Sequence, residues 1–582
     1  VAERRPARTV PVDSSRSSQR AVLLLLLLLA DVALAAPFAP LLDLRSLLPL
    51  QGGDGSAGFV LKGISSRDRS GFISGAGDVN GDGVDDIIIG AHQADPDGRA
   101  EAGECYVVFG RSEFPASFRL SDLLPENGGD GSDGFVLRGA SAGDHAGMVR
   151  DAGDVNHDGF ADVIIGAVAA DPGGRSQAGA AFVVFGRSAF PPVIELADLN
   201  AAAGGDGSAG FVIEGVDEGD RLGIVTGAGD VDADGIDDLM VAAVEADPAG
   251  REGAGEVYVV FGRDSGFPAN LDLAALHPDF GGDGTDGFVV EGAGAEDRLR
   301  VSVRRAGDVN GDAVDDIILG AEYADPGGRE NAGEAYVLFG RASGFAGAVD
   351  LRSLAEGDGS DGFVLQGIDP FDESGRTANG IGDLNGDGVD DIVVGAYVGD
   401  PNGVTDAGES YVLFGRTSGF PPVYPLTRLL AAAGGDGTEG FVIQGAGPDD
   451  RASFPMYVGD IDADGISDLI IGAHKADAYG RIDAGLTYVI YGRRSGFPAA
   501  FELARLMPEQ GGDGAEGFVI LGANAGDEMG YSVSGVGDVN GDGVADIILG
   551  ALRAGFFRPE AGRSYVIFGR DSMLGRQSSE RP

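Results

Sequence analysis

A ten-residue phrase, G-D-x-[ND]-x-D-[GA]-x-x-D, is written seven times in this chain of 582 residues. Its first aspartates are Asp78, Asp154, Asp230, Asp308, Asp383, Asp460 and Asp538, spaced 75 to 78 residues apart. Self-similarity at a fixed period marks a repeat architecture, in which each unit buries its apolar face against the next. Only short ends lie outside the period, so the chain reads as one array of seven units.

Each unit holds four short runs rich in Val, Ile, Phe and Tyr, separated by Gly, Asp and Pro. This is the signature of strands. In the first cycle they are 58–63, 73–79, 86–91 and 106–110. The run Asp86-Ile87-Ile88-Ile89-Gly90-Ala91 is almost wholly apolar, as expected of a strand covered on both faces. Leucine segments such as Leu42-Asp43-Leu44-Arg45-Ser46-Leu47 and Leu271-Asp272-Leu273-Ala274-Ala275-Leu276 are compatible with a short helical turn or an extra extended piece. Four strands in each of seven units is the arithmetic of a β-propeller, with an open solenoid as runner-up. The expected fold is all-β, a seven-bladed β-propeller of four-stranded blades. The first strand (Gly58 to Gly63) is expected to complete the last blade, which ends at Tyr565 to Gly569, as its outer strand. Such closure removes exposed sheet edges.

The N-terminal segment reads as an address. Five arginines within residues 1–20 precede a ten-residue apolar run, Ala21 to Ala30, and then Ala33-Leu34-Ala35. That order fits a secretory signal cleaved near Ala35 or Ala36. A bilayer-spanning helix needs about 20 apolar residues, so no transmembrane segment is expected. The domain reading is a signal peptide at 1–36, a propeller at 37–570 and a tail at 571–582.

The repeated phrase places oxygen-bearing residues at loop positions 1, 3, 5 and 9, with a backbone carbonyl offered at position 7. The first loop offers Asp78, Asn80, Asp82, Val84 and Asp86. The second offers Asp154, Asn156, Asp158, Phe160 and Asp162, and the third Asp230, Asp232, Asp234, Ile236 and Asp238. The fourth offers Asp308, Asn310, Asp312, Val314 and Asp316, and the fifth Asp383, Asn385, Asp387, Val389 and Asp391. The sixth offers Asp460, Asp462, Asp464, Ile466 and Asp468, and the seventh Asp538, Asn540, Asp542, Val544 and Asp546. Hard oxygens in this pattern suit Ca²⁺, which takes six to eight of them, better than Mg²⁺. Up to seven Ca²⁺ ions are expected. An EF-hand requires a bidentate Glu at position 12, where this chain has Ile89, Ile165, Val241, Leu319, Val394, Ile471 and Leu549. The fourth loop has Ala313 where the others have the turn glycine.

Charge narrows the partners. With 93 acidic against 41 basic residues, the formal net charge is −52. Nucleic acid is not an expected partner, because phosphate binding needs cationic patches. A single cysteine, Cys105, leaves no intrachain disulfide and no cysteine-rich zinc site.

Three elements recur in order. They are the acidic loop, a Phe-Gly closing the fourth run, and a Gly-Ala after the apolar strand. The Phe-Gly pairs are Phe109-Gly110, Phe185-Gly186, Phe261-Gly262, Phe339-Gly340, Phe414-Gly415 and Phe568-Gly569. The Gly-Ala pairs include Gly90-Ala91, Gly166-Ala167 and Gly550-Ala551, while Tyr491-Gly492 and Ala242-Ala243 depart from the pattern. Together they resemble FG-GAP repeats, those of the integrin alpha-chain N-terminal propeller, and most of all the bacterial secreted integrin-alpha-like type. The resemblance spans roughly residues 54–570. It implies seven blades with calcium in hairpin loops on one face. In integrins the opposite face meets the partner subunit and ligand.

Other motifs read as structure. Gly128-Gly129-Asp130-Gly131-Ser132-Asp133 resembles a calcium nonapeptide, but its copies lie a blade apart and read as a turn. Ala94-Asp95-Pro96-Asp97-Gly98-Arg99 and its echoes read as a turn fastened by a local Asp–Arg pair, or else as a polar rim. Specific binding is expected where the repeat breaks: Arg300, Arg304-Arg305, Phe371, Phe454-Pro455-Met456-Tyr457 and Phe556-Phe557-Arg558. Five histidines and no Gly-x-Ser-x-Gly elbow or His-Glu-x-x-His helix give catalysis little support. The expected protein is a secreted or cell-surface monomer and not an enzyme. It acts as a calcium-loaded binding or adhesion module for a protein or polysaccharide. The alternatives are a lyase or hydrolase on the same scaffold, or a matrix component.

Overall fold

The apolar runs become the second strand of each blade, and burial explains their composition. In Asp86–Ala91 every residue is buried, because the strand is covered on both faces by neighbouring blades. The computed structural model describes residues 38–555 and 561–571. The expected export signal and nearly all of the expected tail lie outside the described residues.

Seven sheets are present, and each has five strands rather than the expected four. Blade 1 runs outward from Phe72–Gly77 through Asp86–Ala91, Glu104–Val108 and Gly134–Arg138 to Val193–Glu195. The first four pair antiparallel, and the fifth lies parallel to the fourth, Val193 opposite Val136. The fourth strand comes from the next repeat, and the fifth from the one after it. The leucine segments supply the fifth, and they take both of the forms their pattern allows. A three-residue strand such as Leu41–Asp43 leads directly into a 3-10 turn such as Leu44–Leu47, with Leu44 and Leu47 buried. Three residues are too few to show a period of two, so the extra strand is set by its partner.

The ring is closed twice. Gly58–Lys62 pairs antiparallel with Arg563–Ile567, as its sequence predicts, but as the fourth strand of blade 7. Ser117–Arg119 lies outside it. Leu41–Asp43 pairs with Val519–Leu521 and completes blade 6. The innermost strand of blade 7, Ser532–Gly537, packs on that of blade 1.

The core lies between blades. One cluster joins Ile88, Val107 and Phe135 of blade 1 to Val163, Ile165 and Phe182 of blade 2. Burying one such side chain is worth about 1.5–3 kcal/mol. Close approach explains the Gly-Ala motif: a Cβ on Gly90 would sit 2.0 Å from the Gly147 carbonyl oxygen of the next blade.

The Phe of each Phe-Gly packs in a trio. Phe109 meets Phe135, on which Phe190 stacks at 4.1 Å between centroids. The arginine after each Phe-Gly lies over the third ring, as Arg187 does over Phe190 at 4.8 Å. In blade 6, Tyr491 takes the first place and Phe38 the third, with Arg570 over it at 4.7 Å. An N-terminal ring and a C-terminal guanidinium thus seal the same blade.

Candidate metal centres

Each acidic loop joins the first and second strands of its blade, so all seven lie at one end of the propeller. Asp and Asn favour such loops because their side chains accept bonds from backbone amides two to five residues on. In blade 1, Asp78 Oδ1 accepts from Asp82 N at 3.0 Å and Oδ2 from Gly83 N at 2.8 Å. Asn80 Oδ1 accepts from Asp82 N, and Asp82 Oδ1 from Val84 N. The bonds that position 1 accepts from the amides of positions 5 and 6, and that position 5 accepts from that of position 7, recur in all seven loops. The side chains of positions 1, 3 and 5 therefore share one turn.

Position 6 has positive φ throughout, +88° at Gly83 and +69° at Ala313. Ala313 still donates its amide to Asp308 Oδ2 at 2.8 Å, so the fourth loop keeps its shape at the cost of a strained residue. In loops 4 and 7 the amide nitrogens of Asn310 and Asn540 face Asp316 and Asp546.

Position 9 is different. Asp86, Asp162, Asp238, Asp316, Asp391, Asp468 and Asp546 are all at most 1% exposed. Asp86 Oδ2 accepts from Val79 N at 3.0 Å, and Oδ1 from Gly110 N, the glycine of Phe-Gly, at 2.8 Å. The same pair of bonds is made in every blade. Two of the three recurring motifs therefore meet at one carboxylate. Burial pushes Asp86, Asp162, Asp238, Asp316 and Asp546 up to about 8, against the two backbone bonds, which favour the ionised form. Neighbouring loop carboxylates raise them further; Asp391 and Asp468 shift in the same direction. A buried carboxylate among other carboxylates calls for a cation. The donor set, hard oxygens only, fits a divalent ion of the calcium kind. Asp230, Asp232 and Asp238, and likewise Asp460, Asp462 and Asp464, bring three carboxylate oxygens within 4.8 Å of one another.

The loops are also tied to one another, a feature sequence reasoning missed. The arginine amide after each Phe-Gly donates to the position-2 carbonyl of the preceding loop, as Arg187 N does to Val79 O at 2.9 Å. At position 8, Asp85, Asp237, Asp315 and Asp390 accept from the first aspartate's amide of the preceding loop, at 2.8–3.0 Å. The signal was present: four of seven position-8 residues are aspartates that the coordination pattern does not need.

The remaining motifs resolve into fastenings. Asp130 Oδ1 accepts from Ser132 N and Oγ, a plain turn ahead of the fourth strand. The Asp–Arg turns at the opposite end are fastened, but not by the expected pair. Asp95 accepts from Glu101 N, while Arg99 reaches the outermost strand at Glu195, 2.6 Å away. Among the expected break positions, Phe371 is exposed, and Arg305, Met456 and Tyr457 line the axial channel. The side chains of Arg300 and Arg304, and residues Phe556-Phe557-Arg558, lie outside the described residues.

Comparison with known proteins gives the FG-GAP repeat at residues 70–108, 305–338, 376–413 and 529–567, which fall in blades 1, 4, 5 and 7. The chain is 28% identical over 254 residues to Integrin alpha pat-2 of Caenorhabditis elegans, covering 43% of this chain and 17% of that protein. It is 29% identical over 201 residues to Integrin alpha-PS2 of Drosophila melanogaster, 33% of this chain and 12% of that one. It is 27% identical over 184 residues to the phosphatidylinositol-glycan-specific phospholipase D of Bos taurus, 32% and 19% of the two. The matches span less than a fifth of the length of these relatives. Among the described residues, no helix is long and apolar enough to cross a membrane.

Proposed function

For a chain that carries FG-GAP repeats and resembles the N-terminal propeller of integrin alpha chains, we propose an exported, calcium-loaded binding module. The observation that carries this reading is the buried position-9 aspartate, repeated seven times beside further carboxylates. A bound Ca²⁺ would supply the missing countercharge, held by positions 1, 3, 5 and 9 and the position-7 carbonyl. The ion would act on structure: it would hold each loop against the Phe-Gly turn and, through the loop-to-loop bonds, against its neighbour.

The opposite end is then free for a partner. Blades 5 to 7 carry exposed aromatic and aliphatic side chains there, Phe371, Tyr479, Ile482 and Tyr531. They support recognition of a protein or polysaccharide outside the cell. The protein is read as a monomeric binder rather than a catalyst. An enzymatic alternative rests on the phospholipase D relatives, matched over a quarter of their length or less.

The test is a calorimetric titration of chelator-stripped protein with Ca²⁺, with a melting curve at each point. A site filled tenfold above its Kd adds about 1.4 kcal/mol. Uptake approaching seven ions with a steep rise in melting temperature is expected. No uptake, or a melt indifferent to calcium, overturns the reading.

A further inference from the structure

The repeat breaks most sharply on the axis. The inner-strand residues paired two positions after each buried loop aspartate form one ring: Ser74, Arg150, Thr226, Arg304, Asn379, Met456 and Ser534. The next ring, one step toward the acidic loops, is glycine in blades 1, 3, 5 and 7 but Asp151, Arg305 and Tyr457 in blades 2, 4 and 6. Large polar side chains thus replace Gly on alternate blades, all facing one channel of about 570 Å³. A scaffold needs no such asymmetry.

The chemistry along the channel is polarised. Asp237 and Asp390 lie at the acidic-loop end. Asp151 faces the channel just beyond them, and its Oδ1 accepts from Gly153 N. Deeper still, Arg150 donates to the Val149 carbonyl and, among the described residues, makes no ion pair. Arg305 is by contrast paired with Asp315 at 3.1 Å. At the depth of Arg150, Asn379 is 4% exposed, and among the described residues its Oδ1 has no partner while its Nδ2 donates to Pro455 O. Among the described residues, one cation and one buried acceptor in the channel lack partners, and the acids nearer the mouth outnumber Arg305, the cation that acts on Asp151, Asp315 and Asp390; such a lining suits a ligand bearing both charges. Arg150 and Asp237 are separated by three to four residue steps, roughly 10–13 Å between Cα levels at about 3.3 Å each. The reach of both side chains shortens that gap to the length of a basic amino acid.

We propose that the axial channel binds a basic amino acid with a free carboxylate, either as the free molecule or as the C-terminal residue of a peptide. The carboxylate pairs with Arg150, and the amine or guanidinium lies among Asp151, Asp237 and Asp390. Tyr457 covers the aliphatic stem. The proposal deepens the binding-module reading, and its test reads the channel where the calcium titration reads the loops, so each fails separately.

The calcium-loaded protein is titrated calorimetrically with L-lysine, Ala-Ala-Lys, Ala-Ala-Lys amide, glutarate and 1,5-diaminopentane. Either of the first two is expected to bind, and the tighter one identifies the source. The amide, diacid and diamine are expected to bind at least tenfold more weakly. Arg150→Ser and Tyr457→Gly place in blades 2 and 6 residues that the ring already carries elsewhere, so both keep the fold, which a melting curve checks. Arg150→Ser is expected to weaken binding at least tenfold, and Tyr457→Gly severalfold. Absence of heat with both lysine probes, equal binding of the amide, or unchanged affinity in Arg150→Ser overturns the proposal.

Discussion

Gly110, in Phe109-Gly110, allows steric crowding to be separated from backbone strain. Its φ is not in the left-handed region, so any L residue has an acceptable dihedral there. Space is what it lacks. A Cβ would lie 2.3 Å from Asp85 O, 2.5 Å from Val84 Cγ1 and 3.0 Å from Val539 O. Two of these are backbone carbonyls, in the loops of blades 1 and 7, and neither can swing aside. Overpacking costs about 1–3 kcal/mol, occasionally more, and contact with rigid backbone puts Gly110→Ala near 3. Part of that cost is the 2.8 Å bond from Gly110 N to Asp86. Gly98 is the converse, with φ +78° and nothing within 4 Å of a Cβ. There the left-handed strain of about 1–2 kcal/mol is partly offset by about 0.4–1 kcal/mol from the stiffer unfolded chain. Gly98→Ala is therefore expected to cost about 1 kcal/mol. Urea unfolding in saturating calcium measures both, and calcium titration measures the loops. Gly110→Ala should also weaken cation uptake in the loops of blades 1 and 7, and Gly98→Ala should leave it unchanged. Equal stability losses, or a destabilised Gly110→Ala with unchanged calcium uptake, would refute the link between the Phe-Gly turn and the loops.

Three further outcomes are expected. Ala313→Gly relieves the +69° backbone of the fourth loop and should stabilise by up to about 1 kcal/mol in urea unfolding, the strain outweighing the added chain entropy. Arg481→Ala removes the fork to Asp43, Nη2 to Oδ2 at 2.9 Å. It should speed amide exchange at residues 41–43 and 519–521 before the rest of the ring, at a cost of about 1–2 kcal/mol. Asp372 sits in a turn away from the acidic loops. Burial first, and then Asp369, Glu409, Asp400 and Asp406, push it up to about 7. Because the folded value exceeds the unfolded one, its contribution to stability falls as pH rises from about 4 to 7 and stays lost above that. At about 1.4 kcal/mol per unit, reduced for partial solvation of the carboxylate, Asp372→Asn should gain about 1–2 kcal/mol over wild type at pH 8 and little at pH 4. Parallel pH–stability curves for the two proteins would contradict this.

Much of the architecture was legible because the same physical problem is solved seven times. Buried second strands, acidic loops and blade-contact glycines recur, and each recurrence strengthens the reading of the others. What escaped the sequence falls into two kinds. The fifth strand, three residues such as Val193–Glu195, is too short to carry a period and is specified by the strand beside it. The Phe190–Phe135 stack and the Arg187 guanidinium above it join residues far apart in the chain. Arg150 and Asp151 were missed for another reason. Their neighbours in sequence look ordinary, and only alignment with Ser74-Gly75 and Thr226-Gly227 shows that they replace a small pair. Arg305 and Tyr457 stood out because Arg304-Arg305 and Met456-Tyr457 interrupt a familiar phrase.

The double closure has a consequence for biosynthesis. Residues 41–43 and 58–62 are made about 500 residues before their partners at 519–521 and 563–567. At roughly 5–20 residues per second, the arm waits about 25–100 s beside unfinished blades. During that time its Gly-Phe-Val strand is an unpaired edge, and any other unfinished ring of the same sequence offers the same slot. In a crowded pool, arms are expected to exchange between copies and to yield swapped dimers and open chains. In a dilute one, each arm finds its own seventh blade. The ratio of swapped to closed rings should therefore rise with protein concentration during refolding, and it should be set by the arm alone.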